Sequence, residues 1–411
     1  MPIDPNQLAP SSTPDSAAQE ELRFETLTDG TAFAALENGW DDLVRAMDRP
    51  SPFLLHAWLQ EWWRHYGDDY RLRVELAWRG PRLVGALPLC VGRRRGLEVV
   101  EFMGGHRSAL GDLLLAKGED ETVAKGLAAR AGMAGHDLAD LFGLPANSRL
   151  AQALPPEALR LIERVEAPIL DIADGWDEVY KRKTSSRTRQ LHRRRRRQLS
   201  EHGRLEESVA TTAEELETAL RHAFLLHELR WAGRPDGSEF TTPRGKQFHL
   251  AAVLALAPDG IPRIVTLTLD DRPIAFHYFF ALCGRMYVHR LAFDPEFARF
   301  SPGLLNTLDA IAAAGEDGLT TVEFLGGAER YKVELSDRLG PLYQGLGLAG
   351  SARGRFVVAS RLTTIQLRLR LKRSRAVHSF YLNRLGPVRR AWKRIHAGSP
   401  GESGTPKEPH A

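Results

Sequence analysis

Hydrophobic and polar positions alternate with periods of two and of about 3.6 from residue 22 to about residue 350, so strands and helices are interleaved over most of the chain. In the first half, the pattern predicts a β-hairpin around Gly80-Pro81 and a short aromatic helix at 56–66. The strands predicted in this half are 22–27, 70–78, 82–91, 97–102, 112–115, 137–142 and 161–171, and the helices are 31–47, 56–66 and 121–133.

The second half has a similar order of elements. It opens with predicted helices at 176–180 and 185–202, a strand at 205–208, and helices at 213–231 and 243–257. The stretch 261–336 then indicates three strands, a turn, a helix, a strand and a last helix. Because 411 residues exceed one ordinary domain and the order recurs, we expect an α/β (α+β) protein of two tandem units. Each unit is predicted to hold a mostly antiparallel mixed sheet flanked by helices.

Composition and charge set the expected boundaries. Residues 1–20 and 397–411 are polar and aperiodic and are predicted to be disordered. The two units are expected at 21–171 and 172–350. Between residues 353 and 400 there are 13 Lys or Arg and no Asp or Glu, although the whole chain has a net charge of only +4. Apolar residues recur among these arginines, so 351–396 is predicted to be a basic amphipathic helical tail that meets an anionic membrane, a polysaccharide synthase or the acidic body of this protein.

Other features narrow the compartment and the chemistry. The sequence shows no apolar run of about 18 residues and no secretory signal, so a cytoplasmic protein is expected, with peripheral contact to the inner membrane through the tail. Cys90 and Cys283 lie in apolar strand-like runs and are predicted to be buried thiols. No metal-ligand spacing and no nucleophile triad is apparent, so a metal site and covalent catalysis are disfavoured.

One turn is typical of an anion site. Ser301-Pro302-Gly303 follows a strand and opens a helix, where backbone N–H groups lack partners within the helix. The amides of Ser301, Gly303 and Leu304 could therefore hold a pyrophosphate. The alternative is an ordinary helix start that is capped by the Ser301 side chain.

Several motifs resemble a known family. R-P-I-A at 272–275, Asp294 before a turn, S-P-G-L-L at 301–305 and E-F-L-G-G-A-E-R-Y-K at 323–332 resemble the GNAT-type acetyltransferases of bacterial cellulose biosynthesis, the CelD/BcsL kind. P-F-L-x-x-x-W at 52–58 and L-H-E-L-R-W at 226–231 extend the resemblance over nearly the whole body. The Fem-type peptidoglycan aminoacyltransferases have the same double-GNAT layout. The resemblance implies acyl transfer from a thioester or an acyl-tRNA, and it leaves the acceptor open.

The resemblance also implies site residues. Coenzyme A would lie on the segment that includes Phe300, Ser301, Gly303, Leu304 and Leu305. In this segment Phe300 stands where Gln or Arg is usual, and Leu305 replaces a small residue.

The resemblance to this family also implies catalytic roles. Tyr331 would protonate the departing thiolate, unless it is simply an aromatic side chain of an amphipathic helix. The candidates for the base are His289, Asp294 and Glu323, with His277 as a further candidate.

Acceptor contacts are expected at Lys332, Asp112, Arg230 and Trp231, with a solvated Lys332 paired with Glu329 as the alternative. The run 181–197 holds ten Lys or Arg, which suits a nucleic acid, an anionic sugar or a solvated helix. Its charges are expected to surround the helix and to leave no face for packing.

These observations lead to one hypothesis with two alternatives. The chain is expected to be an N- or O-acetyltransferase that uses acetyl-CoA or another acyl-CoA on a saccharide acceptor linked to the envelope or to exopolysaccharide. The first alternative is a Fem-like transferase that uses aminoacyl-tRNA. No other nucleic acid is expected as a partner. The second is a non-catalytic partner of a polysaccharide synthase, favoured by the departures at Phe300 and Leu305.

Overall fold

A computed structural model describes residues 21–119, 121–133, 135–231, 238–327 and 329–373. The chain divides into a compact body, residues 1–352, and a second unit, residues 353–411. The predicted disordered ends and the part of the tail after residue 373 lie outside the described residues. None of the described helices has the length and apolar character needed to span a membrane.

Among the described residues, the first half of the body contains five α-helices and eight strands. In chain order they are β1 Leu22–Leu27, α1 Gly30–Ala34, α2 Glu37–Arg45, α3 His56–Tyr66, β2 Tyr70–Arg79, β3 Arg82–Arg94, β4 Leu97–Phe102, β5 Leu114–Leu115, α4 Glu121–Ala131, β6 Leu138–Pro145, α5 Arg149–Gln152, β7 Leu159–Val165 and β8 Pro168–Asp171.

The second half contains the remaining described elements. They are α6 Trp176–Lys183, α7 Ser186–Ser200, β9 Leu205–Ala210, α8 Ala213–Trp231, α9 Pro243–Leu256, β10 Pro262–Leu269, β11 Arg272–Leu282, β12 Arg285–Phe293, α10 Pro302–Glu316, β13 Thr321–Glu323, α11 Arg330–Leu335, β14 Arg338–Leu339 and β15 Leu342–Gly347. A final helix, α12, runs over Ala352–Arg373.

The two halves repeat one topology. A first strand is followed by helices, then by three antiparallel strands, then by a helix and a parallel strand. In the first half these are β1, α1 to α3, β2-β3-β4, α4 and β6, and in the second half β9, α8 and α9, β10-β11-β12, α10 and β13. The expectation of two tandem α/β units is therefore confirmed.

The last strands of the two halves are exchanged. The first sheet has the order β1-β2-β3-β4-β6-β15-β7, and the second has the order β14-β8-β13-β12-β11-β10-β9. Thus β15, from the end of the body, lies between β6 and β7, and β8, from the middle of the chain, lies between β13 and β14. Sheet membership changes at residues 166–167 and again at 340–341, so neither sheet is built from one continuous segment.

The structure corrects the expected strand at 161–171. The backbone turns at Ala167, which has a positive φ of 42°. Pro168 follows, and the residues on either side of this turn enter different sheets. Strand β7 is mostly exposed and β8 is mostly buried, but the apolar residues of both pieces form one continuous strand-like pattern in the sequence. A pattern of this kind does not report which partner strand each piece will find.

Three smaller expectations also differ from the structure. The helix expected at 31–47 is two helices, α1 and α2. Cys90 is buried as predicted, but Cys283 is exposed in the β11–β12 turn. Helix α7 does have a packing face, because it buries His192 and Leu199 despite its arginines.

The described part of the tail is helical but not amphipathic. Apolar and basic residues are distributed around the whole circumference of α12, as the sequence pattern at 100° per residue shows. Phe356 is 75% exposed and Leu367 is 55% exposed. The prediction of an amphipathic tail is therefore wrong for residues 352–367, and the segment 374–396 lies outside the described residues.

Buried aromatic side chains join the halves. Trp58 and Trp62 of α3 are fully buried, and Phe53 lies just before this helix. The Trp58 ring packs against Phe248 of α9 at 4.9 Å and against Phe280 of β11 at 5.5 Å. One hydrophobic core therefore runs from the first half into the second half.

A buried ion pair crosses the same boundary. Glu323, at the end of β13, is inaccessible to solvent and accepts hydrogen bonds from Arg49 at 2.6 and 3.1 Å and from Arg285 at 3.0 Å. Arg49 also donates to the carbonyl oxygen of Gly340 at 3.2 Å. These hydrogen bonds connect the first half of the chain to β13 of the second sheet.

We predict that Glu323→Gln lowers the free energy of unfolding by about 3 kcal/mol, because two largely buried guanidinium groups lose their counter-charge. Urea denaturation at neutral pH measures this difference. The control is Glu25→Gln, which removes the exposed pair with Arg23 and should cost about 0.5 kcal/mol or less. Equal losses in the two variants would contradict a structural role for Glu323.

Candidate active site

The parallel strands β12 and β13 separate at one end. They pair from Arg285↔Thr321 to Tyr287↔Glu323, after which β13 stops and β12 continues to Phe293. The open end is flanked by α8, α9 and α3 on one face of the sheet and by α10 and α11 on the other. A gap of this kind exposes backbone groups that no strand covers, and it admits a ligand between the two strands.

A β-bulge lies on β12 beside this gap. Tyr278 pairs with Arg290 and Phe279 pairs with Val288, so His289 is the extra residue. The bulge turns His289 and Arg290 to the same face, where the His289 ring lies 5.1 Å from Tyr278 and 5.3 Å from His249. Nε2 of His289 is buried and has no hydrogen-bond partner among the described residues.

Burial keeps these imidazoles neutral. It lowers the pKa of His289 well below its usual range, and the charge of Arg290 lowers it further. The same two causes lower the pKa of His249, both of whose ring nitrogens lack partners in the described structure, and that of His227 to about 4. At neutral pH each ring therefore keeps a nitrogen lone pair that can accept a proton or a hydrogen bond.

A second polar group lies on the α10 face of the sheet. His277 of β11 is fully buried, neither ring nitrogen has a partner among the described residues, and burial lowers its pKa to about 3. Its strand neighbour Val265 accepts a hydrogen bond from Asn306 of α10 at 3.3 Å, and the Asn306 Oδ1 atom is unpaired in the described structure. Unsatisfied buried groups on both faces are typical of a site that is completed by a ligand.

Tyr331 lies on α11 at the same face. Burial and the charge of Glu329 raise the pKa of its phenol, and a hydrogen bond with Thr307 of α10 opposes this rise. The phenol is therefore protonated at neutral pH and can donate a proton, which agrees with the predicted role but does not test it.

The start of α10 differs from the expected phosphate cradle. Ser301 has a left-handed backbone, with φ 55°, and its amide donates to Ala298, while the Leu304 amide donates to the Ser301 carbonyl. Of the three expected amides, only that of Gly303 has no partner among the described residues. A Cβ atom at Gly303 would lie 2.8 Å from the Phe293 ring, so close packing of helix on strand requires a glycine there.

The side chains of this segment are mainly core residues. Phe300 is 6% exposed and Leu305 is 2% exposed, and both belong to a cluster with Leu199 of α7. Ser301 makes no side-chain cap. Phe300 and Leu305, which differ from the residues usual in the family motif, therefore pack between α7 and α10.

Two of the candidate bases have other partners. Asp294 caps the turn before α10 by accepting from Glu296 at 3.0 Å, and its second oxygen pairs with Arg272. Glu323 has both oxygens in the ion pair with Arg49 and Arg285. Of the three proposed bases, only His289 presents an unpaired buried atom.

Lys332 and Asp112 also have structural contacts. Lys332 is 5% exposed, donates to Gly326 at 2.6 Å and pairs with Glu329 at 2.7 Å, so it fixes the loop after β13 rather than extending into solvent. Asp112 is 3% exposed and accepts four hydrogen bonds, which come from the amides of residues 113, 149 and 150 and from Ser148. It anchors the start of α5 in the first half.

Arg230 and Trp231 lie at the end of α8, near the gap. The Arg230 guanidinium lies 4.8 Å from the centre of the Phe293 ring, and the Trp231 ring stacks on His227 at 5.6 Å. The structure therefore brings Trp231 to the imidazole face and Arg230 to Phe293 at the end of β12, whereas Asp112 lies elsewhere.

Sequence reasoning missed Arg290, His249 and His227. The bulge that turns Arg290 inward leaves no signal in the alternating pattern of β12. His249 and His227 lie on helices, where an isolated histidine on a buried face resembles an ordinary core residue. What distinguishes these two histidines is that both rings lie close to the Arg290 guanidinium.

Comparison with known proteins agrees with this architecture. Residues 186–333 match the model of the family described as acetyltransferase (GNAT) domain. No curated protein sequence matches this chain at a significant level.

Solved structures share the fold at low identity. The C-terminal domain of a protein described as a lysylphosphatidylglycerol synthetase from Agrobacterium fabrum superposes with a TM-score of 0.50 at 11% identity, over 81% of this chain and 97% of that one. A conserved protein of unknown function from Bacteroides thetaiotaomicron gives 0.49 at 14% identity, over 79% and 99%. FemX gives 0.49 at 14% identity, over 78% and 96%. Residues 186–333 are therefore similar to a GNAT acetyltransferase domain, and the fold of the body is one of two tandem GNAT-like units.

Proposed function

We propose that this protein transfers an acyl group from a thioester to an amine or hydroxyl group at the open end of the β12–β13 pair. The observation that carries the proposal is the buried His289 imidazole, whose unpaired Nε2 atom lies on the bulge beside the gap. A protonated phenol, Tyr331, lies on the opposite face. A base and an acid on two sides of a strand gap suit a reaction in which one proton leaves the acceptor and another reaches a thiolate.

The proposed residues then have defined roles. As the acceptor attacks the carbonyl carbon of the thioester, His289 accepts the proton that the nucleophile loses. The carbon–sulfur bond breaks, and Tyr331 donates a proton to the thiolate that leaves. No covalent enzyme intermediate is needed, because the acceptor attacks the donor directly.

The donor that we propose is acetyl-CoA or another acyl-CoA. The segment from Ser301 to Leu305 supplies the start of a 15-residue helix, a Gly303 amide with no partner among the described residues, and a close contact with the Phe293 ring. When bound, the thioester supplies an activated acyl group. The chain fits this donor less well than the motif predicted, because the Ser301 and Leu304 amides already have partners.

For the acceptor we propose a saccharide linked to the envelope or to exopolysaccharide, as in the acetyltransferases of the cellulose-biosynthesis kind, and we place the reaction in the cytoplasm. Support comes from the resemblance of the motifs and from the buried, unpaired polar atoms on the imidazole face. Contact of the tail with a membrane or a synthase is part of the same proposal. The described helix α12 offers Phe356 and Leu367 as exposed apolar side chains for such a contact.

We predict that acetyl-CoA binds the full chain with a dissociation constant below about 1 mM, measured by calorimetry. Tyr331→Phe should leave this constant unchanged and lower the rate of acyl transfer about 100-fold, because it removes only the proton donor. The control is Tyr343→Phe, a half-buried tyrosine of β15 in the first sheet, which should change neither quantity. Undetectable binding at millimolar acetyl-CoA would reject the proposed donor.

A second candidate function is transfer from an aminoacyl-tRNA. It is favoured by α7, where Arg187, Arg193, Arg194 and Arg197 are exposed and form no ion pair with the described residues. Helical spacing places these four on one side of α7 over roughly 15 Å. By contrast, Arg196 turns inward to Asp309 of α10.

If the donor is aminoacyl-tRNA, bulk tRNA should bind with an affinity that falls with salt at a log–log slope of about −3, because about four phosphates lose counterions. Replacing Arg193, Arg194 and Arg197 by Gln should reduce this slope by about 2. The matched control replaces Arg23, Arg221 and Arg330 by Gln, which removes the same charge from three exposed pairs elsewhere. Equal effects of the two triple variants would reject α7 as a tRNA surface.

A further inference from the structure

Arg290 occupies an unusual position for a charged side chain. It lies on the bulge of β12, and its Nε atom is buried without a hydrogen-bond partner among the described residues. Its Nη1 atom donates to the His289 carbonyl oxygen at 3.3 Å, and the guanidinium lies 5.9 Å from the centre of the Phe240 ring. Within the described ranges it forms no ion pair, so most of its donors are available to a ligand.

The groups around Arg290 do not balance its charge. Its positive charge lowers the pKa values of His227, His249 and His289, so these three rings are close to it and neutral. Burial raises the pKa of Tyr278 well above its usual range, so this phenol is neutral as well.

One carboxylate lies near, that of Glu239, and it already pairs with Arg107 of the first half. The Arg107 guanidinium also lies 3.8 Å from the centre of the Tyr66 ring, which holds it in this position. The described residues therefore place two guanidinium groups and one carboxylate around the buried imidazoles, with one positive charge in excess.

An uncompensated charge in a desolvated pocket destabilises a fold, unless a ligand supplies the counter-charge. The planar guanidinium presents parallel N–H donors that match the two oxygens of a carboxylate or a phosphate. The neutral imidazoles and the Tyr278 hydroxyl, which has no partner in the described structure, add uncharged hydrogen-bonding groups around the same place. This combination selects a ligand that is polar and carries one anionic group.

We propose that Arg290 binds an oxyanion, a carboxylate or a phosphate, carried by the acceptor substrate, and that this contact positions the acceptor beside His289. The inference rests on the proposed acyl transfer, since it assigns a chemical class to the acceptor of that reaction. It also gives the acceptor a means to activate the base. A bound oxyanion offsets the field of Arg290 that lowers the pKa of His289, so the imidazole becomes a stronger proton acceptor when the substrate is in place.

The test measures thermal unfolding of the full chain in acetate, inorganic phosphate and chloride at equal ionic strength. We expect acetate or phosphate to raise Tm above its value in chloride, with a dissociation constant obtained from the concentration dependence. Stabilisation by acetate alone identifies a carboxylate-bearing acceptor, and stabilisation by phosphate alone identifies a phosphorylated one. No stabilisation by either oxyanion relative to chloride overturns the proposal.

Two variants separate a binding role from a structural one. Arg290→Met should weaken oxyanion binding by about tenfold or more. Arg290→Lys keeps the charge but not the parallel N–H donors of the guanidinium, so it should weaken binding less. In chloride, Arg290→Met should unfold at the same temperature as the unmodified chain or a higher one, since it removes an unpaired buried charge. A lower Tm would show that Arg290 has a partner within the protein and would overturn the proposal.

The matched control is Arg263→Met. Arg263 lies on β10 of the same sheet and pairs with Asp317 at 3.1 Å, so its removal should leave oxyanion binding unchanged. Acetyl-CoA calorimetry on the same preparations keeps the two proposals distinct. Normal acetyl-CoA binding without oxyanion stabilisation rejects the acceptor class alone, and the reverse result rejects the donor alone.

Discussion

Each sheet of the body is completed by a strand from the other half of the chain, and the remaining structure depends on this exchange. Strand β8 lies between β13 and β14, and β15 lies between β6 and β7. Each inserted strand has a partner strand on both sides, so neither sheet is complete without the other half. The Arg49–Glu323–Arg285 ion pair and the shared aromatic core follow from this arrangement, because they occupy the boundary that the exchanged strands close. We therefore expect the body to unfold as one cooperative unit.

The exchange also decides how the candidate site is composed. The gap between β12 and β13 belongs to the second half, yet the wall facing His289 includes Phe53 and Trp58 of the first half, at 5.5 and 5.7 Å. Arg107 of the first half pairs with Glu239 beside the same group of buried imidazoles. The first half thus retains the topology of its counterpart but contributes mainly walls, whereas the second half contributes the groups suited to chemistry. Residues 186–333, which match the family model, lie in this second half.

Around the gap, the molecule departs from the rule that buried polar groups are satisfied. His249, His277, His289, Tyr278 and Arg290 all have buried atoms without partners in the described structure. Elsewhere, Glu75 and Asp112 are fully engaged, whereas Glu61, Trp62 and Trp78 each have a buried atom without a partner in the described structure. What sets the imidazole face of the gap apart is that its unpaired groups lie against one another, so one ligand can satisfy several of them.

The sequence by itself determined most of the elements and the repeated order of the two units, and it indicated Tyr331 and His289 as candidate catalytic residues, because periodicity and local motifs depend only on near neighbours along the chain. It also indicated the helix that opens at Ser301, although not that Phe300 and Leu305 are core residues there. Tertiary structure alone decided that 161–171 is divided between two sheets, that Glu323 and Asp294 are engaged by arginines, and that Arg290 lies unpaired among neutral imidazoles. The physical reason is that strand partners, bulges and burial arise from contacts between segments up to hundreds of residues apart, and a local pattern carries no record of them.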